Sequence, residues 1–585
     1  MIPSPSSVLA ALLALGSALG LACGRTGQGK AQPGEGADAP APKAPVADAR
    51  VELDLFVLGR VRGTIAPCGC TTEPLGGLQY AFGYIEAHST PGARLVVEPG
   101  SFLYPEPGSP EWPVDEQGWT QAEQRAQALQ SRFSALGEGL VSGVGPVDVR
   151  SPTGVAALST HPLPRVLTNL ESPAPGMGTL PTHTMVTLEQ GGTTLRVGVT
   201  AVVDPSQPEA ARLGTLGDPV AALRARVKAM REAGAGLTLA LAHGPRSLAE
   251  QLAREVDGLD IVVVGVIDAL EHQKLGEHTG QLSGTYIVEP GEQLQSMTHL
   301  QLSVAPGQPV VPRADAWVVQ PPRSLQEGEL ARVQARIDKF KADPSADPAF
   351  VARLEAERDA LRDGLDGAPP EGPVVAVFDQ VKVTCKQPTD AEAGAELSAY
   401  TAWVAEQNQA FYADKQPPAP PEGTPGYAGI GECESCHEEA VAFWRTTVHA
   451  GAYQTLVDTN QQYDLACVGC HVTGFREPGG SEVVANQGLR DVQCEVCHGP
   501  GTFHVDEPEA AKGGAQHIAL QSPEEICAKC HTPEHSDTFD YVAYMRDVLG
   551  EGHGAAARQA LGDGPTGSKL RAEGLAKVGG KCKKM

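Results

Sequence analysis

From Val51 to about Val304, short aliphatic runs alternate with stretches whose apolar residues recur every three or four positions. The runs Leu53–Leu58, Leu95–Val97, Val166–Leu170, Leu195–Val199, Leu237–Leu241 and Ile261–Val264 predict strands, and Gln121–Leu136 and Pro219–Ala233 predict helices. That alternation predicts a layered α/β domain over 51–310. The pattern then changes. Leu330, Val333, Ile337 and Phe340 keep a 3-4-3 spacing, which Val351, Leu354, Leu361 and Leu365 continue. This predicts a helical hairpin over Ser324–Leu365, broken at Asp343-Pro344-Ser345-Ala346-Asp347-Pro348, where proline stops one helix and opens the next. Val374–Thr384 predicts a strand and Ala391–Ala413 an amphipathic helix. Gln416-Pro417-Pro418-Ala419-Pro420-Pro421 is a stiff linker, so 311–426 reads as a hairpin and Pro-rich connection to a last domain at 427–555 and a tail at 556–585.

The first residues carry a different pattern. An apolar run from Val8 to Ala22 ends in Leu19-Gly20-Leu21-Ala22-Cys23, a lipoprotein-type cleavage site. Residues 1–22 are expected to be a signal peptide, Cys23 a lipid-modified N-terminus and 23–50, rich in Gly, Ala and Pro, a disordered tether. An ordinary cleaved signal and an uncleaved anchor are the alternatives. Composition narrows the partners. A formal charge of −26 over 585 residues argues against nucleic acid, whose phosphates need a basic surface. Aromatics are only 5% of the chain, so its long first part must pack through aliphatic side chains.

Chemistry concentrates near the end. Cys-x-x-Cys-His occurs four times, at Cys433–Cys436–His437, Cys467–Cys470–His471, Cys494–Cys497–His498 and Cys527–Cys530–His531. This is the attachment signature of c-type haem: two thiols add to the vinyl groups and the adjacent His binds iron from the proximal side. Zinc also uses Cys pairs but does not require a His after each one. Four haems on 427–555 must contact one another and form much of the core of a mostly α-helical multihaem domain. The remaining thiols besides Cys23 are Cys68, Cys70, Cys385 and Cys582, which allow three disulfide pairings. Spare histidines are His449, His504, His517, His535 and His553. Glu438–Leu456 reads as one helix, which puts His449 about 18 Å from His437 along the axis. His449 is then expected to reach a different haem.

Two resemblances follow from these residues. Gly431-Glu432-Cys433 through His437, Val448–Ala452, Cys467–Phe475, Val492–Gly501 with His504, Cys527–Glu534 and the late His553 resemble the cytochrome c-554 type of tetrahaem cytochromes. The resemblance implies distal roles for His449, His504 and His553, and a five-coordinate second haem on His471. His517 or His535 could close that remaining iron. The segments Leu58–Cys70, Leu75–Leu78, Val96–Ser101, Val166–Leu170, Leu241–Gly244 and Val262–Val266 are similar to calcineurin-like metallophosphatases and 5′-nucleotidases. Where that family places metal-binding Asp and His, this chain has Arg60 and Arg62, then Ser101 and Val266; only His243 and Asn169 remain. Arginine cannot ligate a cation, so an inactive scaffold without metal is expected, with Arg60 and Arg62 solvated.

The resulting expectation is an envelope-anchored tetrahaem cytochrome on the periplasmic side of a bacterial cell. It would exchange electrons with redox proteins or small carriers, be lipid-anchored through Cys23 and bind no nucleic acid. The alternatives are a redox enzyme acting on a small nitrogen or sulfur compound at an open haem and, third, a phosphoester hydrolase.

Overall fold

The computed structural model describes residues 50–67, 73–90, 92–109, 112–149, 158, 163–266, 279–305, 317–343, 345–367, 372–485, 487–507, 517–532 and 535–577. The signal peptide, Cys23, the tether, Cys68, Cys70 and Cys582 lie outside the described residues. Fourteen strands are formed among the described residues: β1 (Val51–Val57), β2 (Arg94–Glu98), β3 (Leu140–Ser142), β4 (Leu170–Pro173), β5 (His183–Gln190), β6 (Thr193–Val203), β7 (Gly214–Leu216), β8 (Leu237–His243), β9 (Ile261–Val264), β10 (Gly280–Leu282), β11 (Thr285–Val288), β12 (Ser296–Val304), β13 (Trp317–Gln320) and β14 (Val374–Lys382). Longer helices are α1 (Leu78–Ala87), α2 (Glu116–Ser134), α3 (Pro219–Glu232), α4 (Arg246–Glu255), α5 (Arg323–Lys341), α6 (Pro348–Asp366) and α7 (Ala391–Phe411).

Two six-stranded sheets face each other, in the orders β13-β14-β12-β1-β2-β3 and β10-β11-β9-β8-β6-β5. Alternation along β1 explains the layers. Val51, Leu53, Leu55 and Val57 meet Leu237, Leu239 and Leu241 of β8 in the core between the sheets. Phe56, on the opposite face of β1, packs with α1, α2 and α7. Ala240 and Ala242 of β8 face α3 and α4. The result is a helix–sheet–sheet–helix sandwich. Strands buried on both faces read as continuous apolar runs, which is why they are visible in the sequence.

Three expectations change. Val166–Thr168 forms no regular strand: Val166 and Thr168 make single bonds to Ser142 and Ala201, the Asn169 side chain bonds Val203 and Gly217, and regular pairing starts at Leu170 with β4. The α/β body does not end at 310: β14 pairs along the whole of β12, and α7 closes the helical layer through Ala393, Tyr400 and Val404. Between them the α5–α6 hairpin keeps a small core of its own, Val333, Ile337 and Leu354. The continuous helix expected over Glu438–Leu456 is three pieces, Glu438–Trp444, a 3-10 turn Val448–Gly451, and Ala452–Val457. The hydroxyls of Thr446 and Thr447 donate to the carbonyls of Phe443 and Trp444, and this local bonding competes with the helix ladder.

Beyond α7 the described chain forms short helices, most of five to eight residues, such as Ile430–Glu434, Cys494–His498, Glu524–Ala528 and Tyr541–Val548, with an eleven-residue helix Gly567–Lys577 at the end. Its buried apolar cluster is small: Tyr412, Tyr453, Val468, Val472 and Val483. Among the described residues no helix is long and apolar enough to cross a membrane. Cys385 is disulfide-bonded.

Candidate metal centre

Each Cys-x-x-Cys-His lies on a tight turn. In the first and fourth, the amides of the second Cys and of the His both donate to the carbonyl of the first Cys. Positions i, i+3 and i+4 then share one face, which is what a group held by two thioethers and an axial imidazole requires. The rings are oriented by their other nitrogen. His471 Nδ1 lies 2.6 Å from the carbonyl of Ala452, and His498 Nδ1 2.6 Å from that of Ala519. A carbonyl only accepts, so Nδ1 carries the proton and Nε2 is the nitrogen whose lone pair could bind a metal. His531 Nδ1 is held by Ser536 Oγ at 3.0 Å.

Histidines from elsewhere in the chain face these rings. His437 and His504 are near-parallel, with centroids 6.2 Å apart and planes 17° apart. His449 faces His531, also at 6.2 Å, with planes 44° apart. His553 lies close enough to His498 for their charges to interact. Burial holds His449 below the ordinary imidazole range, and burial first and then His498 does the same for His553. His535 bonds Thr532 Oγ1 at 2.8 Å, while His517 packs on Phe503 and lies 3.5 Å from Glu507.

The residues fit haem. Two metal–nitrogen bonds of about 2 Å plus about 1 Å from each ring nitrogen to its centroid give roughly 6 Å between the rings of a bis-imidazole site. Both measured pairs match that span. Beside them Val448 and Leu520 are 84% and 69% exposed, apolar surface that a porphyrin would cover.

The attachment turns also touch. Cys433 neighbours Cys494 and Cys470 neighbours Cys530, while Cys497 adjoins Cys527 and Cys530. The four sites therefore adjoin in the order first, third, fourth, second. Glu495, inside the third motif, accepts from the amides of Ala428, Gly429 and Gly501, and Gln493 accepts from Ile430. These two side chains clamp the first motif against the third. Sequence reading missed both, although a nearly buried carboxylate between two haem cysteines is the signal that marks one of them.

The residues from the α/β body form a separate cluster at the ends of β1, β2, β3 and β8. Arg60 and Arg62 are not solvated: Arg60 pairs with Glu106 at 2.9 Å and Glu292 at 2.5 Å, and Arg62 with Glu292 at 2.8 Å. The two guanidiniums are matched by two carboxylates. Asp148 gathers four backbone amides, from Ser101, Phe102, Leu103 and Gly145. Burial, with Arg60 next and Arg62 a smaller contributor, pushes His243 down to about 3 against the opposing pull of Asp204. His243 is thus a neutral, buried ring.

Residues 432–499 match the family described as cytochrome c554 and c-prime. The chain is 32% identical over 134 residues to cytochrome c-554 of Nitrosomonas europaea, an alignment covering 18% of this chain and 57% of that protein. The chain thus spans little more than half the length of that curated relative. Among solved structures it is similar to a calcineurin-like phosphoesterase of Bacillus subtilis, at 15% identity and a TM-score of 0.34, over 44% of this chain and 87% of the other. It is also similar to a 5′-nucleotidase precursor of Thermus thermophilus, at 15% identity and a TM-score of 0.38, over 61% and 59%. The C-terminal region of this chain carries a cytochrome c554 family domain, of the c-type, haem-binding kind.

Proposed function

We propose that this protein is an electron-transfer cytochrome of the bacterial envelope whose C-terminal region holds four c-type haems. The observation that carries the reading is the pair of facing histidines at 6.2 Å, each combining a Cys-x-x-Cys-His imidazole with one from a distant position. Cys433, Cys436, Cys467, Cys470, Cys494, Cys497, Cys527 and Cys530 would form the thioethers, and His437, His471, His498 and His531 the proximal bonds. His504 would close the site on His437, His449 that on His531 and His553 that on His498. Haem held in such sites supplies a reversible one-electron couple, and the adjoining attachment turns give each couple a neighbour. Two imidazoles on one iron leave no position for substrate, which favours electron transfer over chemistry at those sites. Cys23 would tether the protein on the periplasmic side, where redox proteins or small carriers meet it. The α/β body serves as scaffold: Arg60 and Arg62 are neutralised by Glu106 and Glu292, and among the described residues its strand ends offer no set of metal ligands.

The purified holoprotein tests this. Alkaline pyridine spectra are expected to count four haems per chain, and low-temperature electron paramagnetic resonance to show bis-imidazole low-spin iron. High-spin iron that binds cyanide at the sites of His437 and His531 would sink the assignment.

A further inference from the structure

Among the described residues, the α/β body and the haem-bearing region meet where α2 and α7 reach Asp464, and side chains there are polar and buried. Gln117 and Gln121 come from α2 and Asn408 from α7. Gln121 is 3% exposed, Asn408 0% and Asp464, on the haem side, 9%. Gln117 Nε2 donates to Asn408 Oδ1 at 2.8 Å, and Asn408 Nδ2 donates both to Gln121 Oε1 and to the carbonyl of Tyr463, each at 2.8 Å. Gln121 Nε2 donates to Asp464 Oδ1 at 2.5 Å, and Gln121 Oε1 accepts from the amide of Leu465 at 3.2 Å. Asp464 in turn accepts from Ala466 through its carboxylate and from Cys467 and Val468 through its carbonyl. The relay therefore ends on the turn that carries Cys467, Cys470 and His471. Tyr400 of α7 is buried with its hydroxyl beside Asp464 and Cys467. At the rim, Arg476 joins Asp115 at 2.8 Å and Glu482 at 3.4 Å, and Tyr412 donates to Asp115 at 3.1 Å.

No comparable clamp from the α/β body reaches the other three attachment turns among the described residues. Buried amide and carboxylate groups are costly unless each finds its partner, so this relay specifies one register between the two parts. We propose that Gln121 and Asn408 are positioning residues for the second haem site, so that the α/β body sets the electronic environment of that haem alone. The scaffold is thus one wall of a redox site. The inference rests on the second motif holding a haem, which the haem count checks independently.

The test uses the full-length holoprotein. Asn408→Leu cuts the relay at its α7 end, losing the bonds to Gln117, Gln121 and Tyr463, without changing charge or touching a haem-binding residue. It is expected to shift the midpoint potential and g-values of one haem and leave three unmoved. His471→Met, which alters the second site alone, identifies the signal that should move. A charge-adding variant supplies the second arm: Gln121→Glu faces Asp464 with another carboxylate in place of the amide that donates to it. It is expected to disturb the same g-values. Four bound haems with wild-type g-values in Asn408→Leu, or, should that variant not fold, in Gln121→Glu, overturn the proposal. So does a disturbance spread equally over all four haems.

Discussion

An imidazole facing another across 6.2 Å has one job that an ordinary core histidine lacks, and removing it has a specific signature. His504→Ala should convert the haem on His437 from low-spin to high-spin, and His449→Ala the haem on His531. Each change should remove about a third of the low-spin signal, one of three sites with two imidazoles, without lowering the haem count, because the thioethers remain. Magnetic circular dichroism reads both, and an unchanged spin state would place the partner elsewhere. His243 makes a different prediction. Its ordinary value is 6.5 and its folded value about 3. Between those pH values the unfolded chain takes a proton that the folded chain refuses, so this group's contribution to stability falls as pH drops below 6.5. In His243→Asn that penalty is gone. The stability of the variant relative to wild type should rise by up to about 1.4 kcal/mol per pH unit below 6.5 and stay flat above it. Denaturant titrations at pH 5 and pH 7.5 would show it. At this scale the four Cys-x-x-Cys-His motifs were legible because their spacing is local. Gln121 and Asp464 were not, since they lie 343 residues apart and nothing in either neighbourhood announces the other.

At the scale of elements, β8 and β9 were readable from runs apolar on both faces and β1 from the alternation of Val51, Leu53, Leu55 and Val57, whereas β5 and β12 were not. The alternating exposed and polar residues of β5, His183–Gln190, look like surface, and the polar residues of β12 are buried under partners the sequence does not name. The helix Glu438–Leu456 was misread because apolar spacing continues through Thr446 and Thr447 while their hydroxyls turn back to the chain. The break moves His449 off a single helix axis, so its partnership with His531 rests on packing rather than on the rise of one helix. Packing of the short helices depends on buried polar clamps. Glu495→Ala would strand three backbone amides and should cost about 2–4 kcal/mol, with Glu495→Gln falling between. Limited proteolysis should then cut near Ala428–Ile430 in a protein that still carries all its haem. Resistance equal to wild type would mean the clamp is dispensable.

For the whole molecule, the strand and helix after the α5–α6 hairpin complete the first sheet and its helical cover, and the same α7 supplies Asn408 to the haem-bearing region. Such pairings join positions far apart in sequence, which is why a boundary at 310 seemed natural from local patterning alone. The residues from Asp48 onward form one compact unit, and the buried interface within it is bridged by the bonds of Gln121, Asn408 and Asp464. Thermal unfolding followed by far-ultraviolet circular dichroism and by the haem Soret band should therefore give one coincident transition. Two separated transitions would mean that the parts unfold independently. The central claim, four haems held in part by histidines that cross between attachment sites, is tested most directly by redox-resolved electron paramagnetic resonance of the intact holoprotein beside His504→Ala and His449→Ala. The account predicts four haems in all three proteins, with one low-spin site lost to high-spin in each variant and a different one each time. Fewer than four haems in the wild type, or the loss of the same site in both variants, would contradict it.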